Sequence, residues 1–253
     1  MREDKYFLGL VSISFRDRDP ETILQAMQQA RLSYVEWGSD VHAPCWDVER
    51  LREIAALQKQ YGISCSSYGT YFRLGETPIE ELGDYIAAAK ILDTDILRLW
   101  CGTKSGADMT EAERNILLEE CRAAAKIAEE NGVMLCMECH KRTLTERCED
   151  TLLLMRAIDS PHFRMYWQPF QWQSVKENLA YAEAISPFAE HLHVFQWKGK
   201  ERFSLNEGIE EWKSYLKNFS TPRTLLLEFM PDDRIETLPT EAQALKIIIG
   251  DTI

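Results

Sequence analysis

Four short apolar runs in the second half of the chain end in side chains that can move protons or hold a cation. Leu135 to Met137 leads to Glu138, with His140 just beyond, and Phe163 to Trp167 leads to Gln168. His191 to Phe195 carries two histidines around Leu192, and Thr224 to Leu227 leads to Glu228. A carboxylate leaving an apolar run is partly dehydrated, so its neighbours set its proton affinity. Two such carboxylates beside one imidazole repel each other unless a proton or a cation joins them. Glu, His and Glu with one further oxygen donor form a ligand set for Mn, Mg, Co or Zn. For each acid alone, pairing with an Arg or Lys at a rim is the plain alternative, and it is the joint pattern that points to chemistry.

The elements that must bring these residues together alternate in texture. Short runs of Val, Ile, Leu and aromatics are followed by longer amphipathic stretches opened by capping residues and closed by Gly or a basic turn. Strands are expected at 8–15, 34–37, 64–68, 96–100, 134–138, 163–168, 191–195 and 224–229. Helices are expected from Asp19-Pro20-Glu21 to about Arg31, from Asp47 to near Gly62, from Thr77-Pro78 onward, and from Thr110-Glu111 to Gly132. Four more are expected near 146–157, 174–185, 208–219 and 240–249. Eight such units in a row predict a closed (β/α)8 barrel, a TIM barrel of the α/β class, as a single domain over residues 1–253. An open doubly wound sheet is the structural rival, but no phosphate-cradling G-x-G-x-x-G turn follows the first run.

In such a barrel the catalytic residues project from the C-terminal ends of the strands. Side chains alternate across a strand, so Glu228 is expected to face the axis while Leu225, Leu227 and Phe229 face the helices. Glu138 is placed likewise between Met137 and Cys139. Arg98 and Trp100 share one face of their strand, offering a cation and an aromatic platform to the same mouth.

Composition excludes several classes. With 253 residues, 45% of them hydrophobic and 28% charged, the chain is a folded protein rather than a disordered one. A formal net charge of −12 without any basic run leaves no footprint for a nucleic-acid backbone. The seven cysteines are scattered and odd in number, which suits reduced thiols better than a disulfide framework. Cys136 and Cys139 form a C-x-x-C without a second pair at zinc-finger spacing. The opening MREDKYFLGLVSISF fits neither a signal peptide nor a membrane anchor, so a cytoplasmic location is expected, with no membrane partner.

At these strand ends the chain resembles the xylose isomerase-like superfamily of sugar-phosphate isomerases and epimerases, over essentially the whole barrel. The resemblance implies one divalent metal held by Glu, Asp, His and Glu from the last four strands, with the two glutamates also serving as acid and base. Matched motif by motif, the metal positions fall on Glu138, Gln168, His193 and Glu228. Gln168, in Gln168-Pro169-Phe170-Gln171, departs from the family's Asp. An amide oxygen is neutral and a weaker donor than a carboxylate, so metal affinity falls. The segments EWGSDVHAP, SSYGTYFRLG, RLWCG and ECHKRT resemble a sugar-binding lining. They supply Glu36, His42, Arg98, Trp100 and His140 as candidate substrate contacts, with Arg202 added from a later segment.

The expected chemistry is metal-assisted removal of a proton alpha to a carbonyl, through an enediolate, on a small sugar-like substrate. Bases on opposite faces of the intermediate favour epimerisation, and one base serving adjacent carbons favours aldose-ketose isomerisation. The same enolate also opens a keto-inositol type of dehydration. Two rivals stand beside this reading. One is a phosphodiesterase resembling endonuclease IV, which the acidic balance and the five histidines oppose. The other is a barrel that lost its metal with the Asp and binds carbohydrate without converting it. Homo-oligomerisation is left open.

Overall fold

In the computed structural model, which describes residues 6–219 and 223–250, eight parallel strands close into a barrel with helices on its outer face. In chain order these are β1 (Tyr6–Val11), α1 (Pro20–Ala30), β2 (Tyr34–Gly38), α2 (Val48–Tyr61), β3 (Ser64–Leu74), α3 (Leu82–Ile91), β4 (Ile96–Cys101) and α4 (Glu111–Asn131). The second half contributes β5 (Met134–Glu138), α5 (Cys148–Ile158), β6 (Phe163–Trp167), α6 (Val175–Ile185) and β7 (Ala189–Val194). After β7 a short antiparallel hairpin, β8 (Gln196–Lys198) and β9 (Glu201–Phe203), precedes α7 (Ile209–Leu216), β10 (Arg223–Leu227) and α8 (Leu238–Ile249). The barrel closes by pairing β1 with β10.

The caps predicted from sequence do their work. Asp19 accepts from Thr22 N at 3.0 Å with Pro20 in the first helical turn, and Thr110 with Glu113 forms a reciprocal capping box on α4. Gly62 and Gly132 leave α2 and α4 in the left-handed conformation. Thr77-Pro78 differs from expectation. Pro78 opens a single 3-10 turn, Ile79–Glu81, and the α-helix starts only at Leu82. The first predicted strand is also shorter, since Ser12–Phe15 turn into a 3-10 segment that folds over the barrel mouth.

The main core lies between the strands and the helices, where Leu10, Val35, Leu97, Leu99, Leu135, Met137, Leu225 and Leu227 are buried. The axial core is small: Val11, Ile13, Cys136, Tyr166 and Leu226. The rest of the axis is polar, with Glu36, Ser67, Arg98, His191 and His193 all buried. A barrel interior filled this way departs from layered branched aliphatics, and such buried polar groups require partners. Cys136 faces the axis and Cys139 the helices, so the C-x-x-C cannot converge on one ion.

Candidate active site

β2, β4, β5 and β7 carry Glu36, Arg98, Glu138 and His193 toward the C-terminal mouth, and Glu228 follows directly on β10. Strand register explains how: Glu36 lies level with Ser67, Gly69 with Arg98, and Glu138 with Tyr166. Register shifts between Val35 and Glu36, between Gly69 and Arg73, and between Met165 and Tyr166 fall beside these residues, as irregularities that re-aim side chains do. Gly69 leaves the needed space, because a Cβ there would lie 2.7 Å from Glu36 Oε1 and 2.9 Å from an Arg98 nitrogen.

Arg98 is the hub. It is 2% exposed, donates from Nε to Glu36 Oε1 at 2.8 Å, and donates from a terminal nitrogen to Glu138 Oε2. Ser67 adds a hydrogen bond to Glu36 Oε2 at 3.0 Å, and the Trp100 indole donates to Glu138 Oε2 at 2.7 Å. Burial pushes the Glu36 and Glu138 carboxyls up, but Arg98 first and His193 second outweigh it. Both acids are held below the ordinary carboxylate range.

Glu228 has no such clamp. Its backbone N–H extends β10 by bonding Val194 O at 3.0 Å, and its carboxylate comes within 3.6 Å of His193 Nδ1. Burial raises its pKa to about 7; His193 opposes that rise and Glu138 adds to it. His193 is itself raised despite burial, because Glu228 and Glu36 surround it. Glu228 and His193 are therefore both raised, Glu228 by burial and His193 by its carboxylate neighbours, while Glu138 is held low.

Gln168 completes the cluster. Its Nε2 donates to Glu138 Oε1 at 3.1 Å and to Cys139 O at 2.9 Å, and its Oε1 faces His193 Nδ1 at 3.0 Å. Trp167, its neighbour, points outward and packs on Trp212, Tyr215 and Phe219, so Gln168 holds the position at the mouth. The four side chains that the resemblance assigns to a metal thus meet around His193 Nδ1. As arranged they do not fit one. Glu138 already accepts from three N–H donors, and the Gln168 amide nitrogen lies against the carboxylate that it would join as a co-ligand. Among the described residues no group of three or more His, Cys, Asp or Glu is arranged to hold a metal ion.

The remaining sequence candidates divide. His140 lines the mouth, its ring 5.0 Å from that of Trp100. His42 does not reach it: Nδ1 meets Ser12 Oγ at 3.0 Å and Nε2 meets Arg18 O at 3.2 Å, which pins the loop after β1. Arg202, on the hairpin, pairs with Asp233 and spreads over Trp197 and Phe229 at 4.8 and 4.9 Å, one layer behind the cavity wall. Phe229 corrects the alternation argument. It lies past the end of β10 at φ 55°, with its N–H held by Ser14 Oγ at 2.9 Å, and that left-handed turn swings its ring to the mouth. Sequence reasoning missed Arg16, Phe195 and Trp197, which also line the cavity. Trp197 comes with the hairpin, whose alternating QWK and ERF runs around a Lys-Gly-Lys turn were its one signal.

The mouth cavity is about 260 Å³, just below the usual range of ligand sites. A cavity of about 600 Å³ opens at the opposite end, by Tyr34, Ser66, Lys90 and His191. The acid-base cluster lies at the smaller one.

Closed eight-stranded topology and a polar mouth at the strand C-termini define the class, and residues 24–247 match the model of the Xylose isomerase-like TIM barrel family. The chain belongs to that family, which includes epimerases, isomerases and a dehydratase. A 3-dehydroshikimate dehydratase of Bacillus anthracis is 24% identical over 119 residues, a match spanning 47% of this chain and 42% of that relative's length. The crystal structure of the probable 3-DHS dehydratase AsbF of Bacillus anthracis superposes with a TM-score of 0.80 at 17% identity, covering 95% of this chain and 98% of the other. An IOLI protein with a bound zinc atom superposes with a TM-score of 0.78 at 12% identity, covering 98% and 99%. No helix among the described residues is long and apolar enough to cross a membrane.

Proposed function

We propose that the mouth is a general acid-base site that isomerises a small polyhydroxylated carbonyl compound of the sugar class. The observation that carries the reading is the unequal treatment of two neighbouring carboxyls. Glu138 is clamped and ionised, while Glu228 is buried without a clamp and titrates at about 7. Environments that push two acids apart separate the group that moves a proton from the group that stays charged. Glu228 is the group that moves it, since a pKa near the working pH gives the best compromise between availability and basicity.

In this scheme Glu228 takes the proton from the carbon next to the carbonyl, and the carbonyl oxygen takes up a proton from solvent water as the enediol forms. Glu228 then returns its proton to the former carbonyl carbon while the second oxygen gives its hydroxyl proton back to solvent water. Arg98 lends positive charge to the same mouth, opposing the charge that builds on the substrate oxygens. One mobile base serving adjacent carbons favours isomerisation over epimerisation, because epimerisation asks for a second base on the opposite face. Trp100, Tyr71 and Trp197 offer ring faces to a sugar, and Arg16, His140 and Lys141 offer donors.

Dehydration of a cyclic hydroxy-ketone is the second reading, favoured by the dehydratase relative. It begins from the same enolate, and protonated Glu228 would release the beta-hydroxyl as water. The test is incubation with a panel of aldoses, ketoses and cyclic hydroxy-ketones in D2O, followed by proton NMR. Exchange at a single carbon with conversion to the isomeric sugar supports isomerisation. An enone product transfers the assignment to a dehydratase. Ligands that bind and return unchanged would leave a carbohydrate-binding barrel.

A further inference from the structure

The Gln168 amide is oriented by its surroundings. With Nε2 toward Glu138 Oε1 and Cys139 O, both acceptors are satisfied; turned over, the amide would set an oxygen against two oxygens. That leaves Oε1 facing His193 Nδ1 at 3.0 Å, so the ring presents an N–H to the centre of the cluster rather than a lone pair. Metal ligation needs the reverse, a bare imidazole nitrogen and carboxylate oxygens with free lone pairs. Glu138 meanwhile receives Arg98 and Trp100 on one oxygen and Gln168 on the other, which occupies most of its accepting capacity. An Asp at position 168 would invert this, placing acceptor against acceptor and creating a demand for a cation.

We infer that the mouth carries its own fixed cation, the Arg98 guanidinium, in place of a divalent metal, and that Gln168 is the residue that closes the cluster to metal. Arg98 is suited to the role. It is buried between Glu36 and Glu138, cannot be deprotonated, and reaches the cavity that Glu138 and Glu228 line. The inference goes beyond the isomerase reading and is read without any substrate, so each can fail alone.

The experiment is elemental analysis of protein purified without a nickel column, together with calorimetric titration and thermal melting in Mn2+, Co2+, Zn2+ and Mg2+, with and without chelator. The wild-type chain is expected to hold no stoichiometric metal and to melt at the same temperature throughout. Gln168→Asp is expected to bind Mn2+ or Co2+ at roughly one ion per chain, at least about a hundredfold more tightly than wild type, and to melt higher when loaded. Gln168→Glu supplies the carboxylate on the original side-chain length if the aspartate variant does not fold. One ion per wild-type chain, with melting lowered by chelation, overturns the inference. So does a folded carboxylate variant that gains no affinity.

Discussion

The Trp100 indole donates to Glu138 Oε2 at 2.7 Å, the same oxygen that accepts from Arg98. One carboxylate oxygen thus takes a neutral and a charged donor, which keeps Glu138 ionised where burial alone would protonate it. Trp100→Phe removes the N–H and keeps a ring for the tilted contact with His140 and for the Arg73 guanidinium 4.4 Å above it. A stability loss of about 1 kcal/mol is expected in urea unfolding. Catalysed exchange should fall about tenfold, mainly in kcat, with KM changed less. An unchanged exchange rate would mean that the indole hydrogen bond is not needed to hold Glu138.

Arg98 and Glu36 are 2% and 0% exposed, so neither can fall back on water if its partner is lost. Breaking a buried pair from one side typically costs about 3–5 kcal/mol, whereas removing both sides costs far less. Arg98→Met and Glu36→Gln should each lower stability by that order in chemical denaturation. The double variant should recover part of the summed loss and not all of it, because Glu138 still lacks its Arg98 partner, and strictly additive losses would show that the two charges act independently.

The barrel was legible in the sequence because every strand carries a run of apolar residues bounded by capping signals, and β5 begins and ends where the pattern placed it. Glu138, Arg98 and Trp100 follow from alternation on strands that stay regular. Phe229 does not, since its left-handed backbone breaks the alternation one residue past Glu228. His42 was misread for a related reason: a histidine after a strand end can face the mouth or the loop beneath it, and Ser12 Oγ with Arg18 O decides for the loop. The substitution at Gln168 was visible in sequence. The fall in metal affinity follows from the residue type alone; the orientation of the amide does not, because it depends on which end faces Cys139 O, a contact between two strand ends.

Gly69 tests whether the Arg98 hub needs its close approach. Gly69→Ala puts a methyl 2.7 Å from Glu36 Oε1, and both salt-bridge partners would have to shift. Overpacking of this kind costs about 1–3 kcal/mol and should abolish exchange by moving Arg98 off Glu138. Gly62→Ala is the control: its φ is 66° with nothing within 4 Å, so it should cost about 1 kcal/mol of backbone strain and leave exchange intact. Equal activity in the two variants would remove the claim that the site depends on this contact.

Glu228 sets the pH behaviour. Its folded pKa is about 7 against an ordinary 4.5, so the folded protein holds a proton that the unfolded chain has already lost between those values. Stability from this group is therefore full below about 4.5 and declines as pH rises through 7, the sign expected for a raised carboxyl. Glu36 and Glu138 are depressed and act oppositely, losing their contribution as pH falls below the ordinary carboxylate range. Glu228→Gln mimics the protonated form at every pH. Its stability relative to wild type should accordingly rise between pH 4.5 and 7, by at most about 3 kcal/mol, and stay level above that. Catalysed exchange in wild type should climb through pH 7 to a plateau as Glu228 becomes available as a base, and the variant should show none. A stability difference that is flat with pH would place the proton on another group, and a rate that falls through pH 7 would make Glu228 the acid rather than the base.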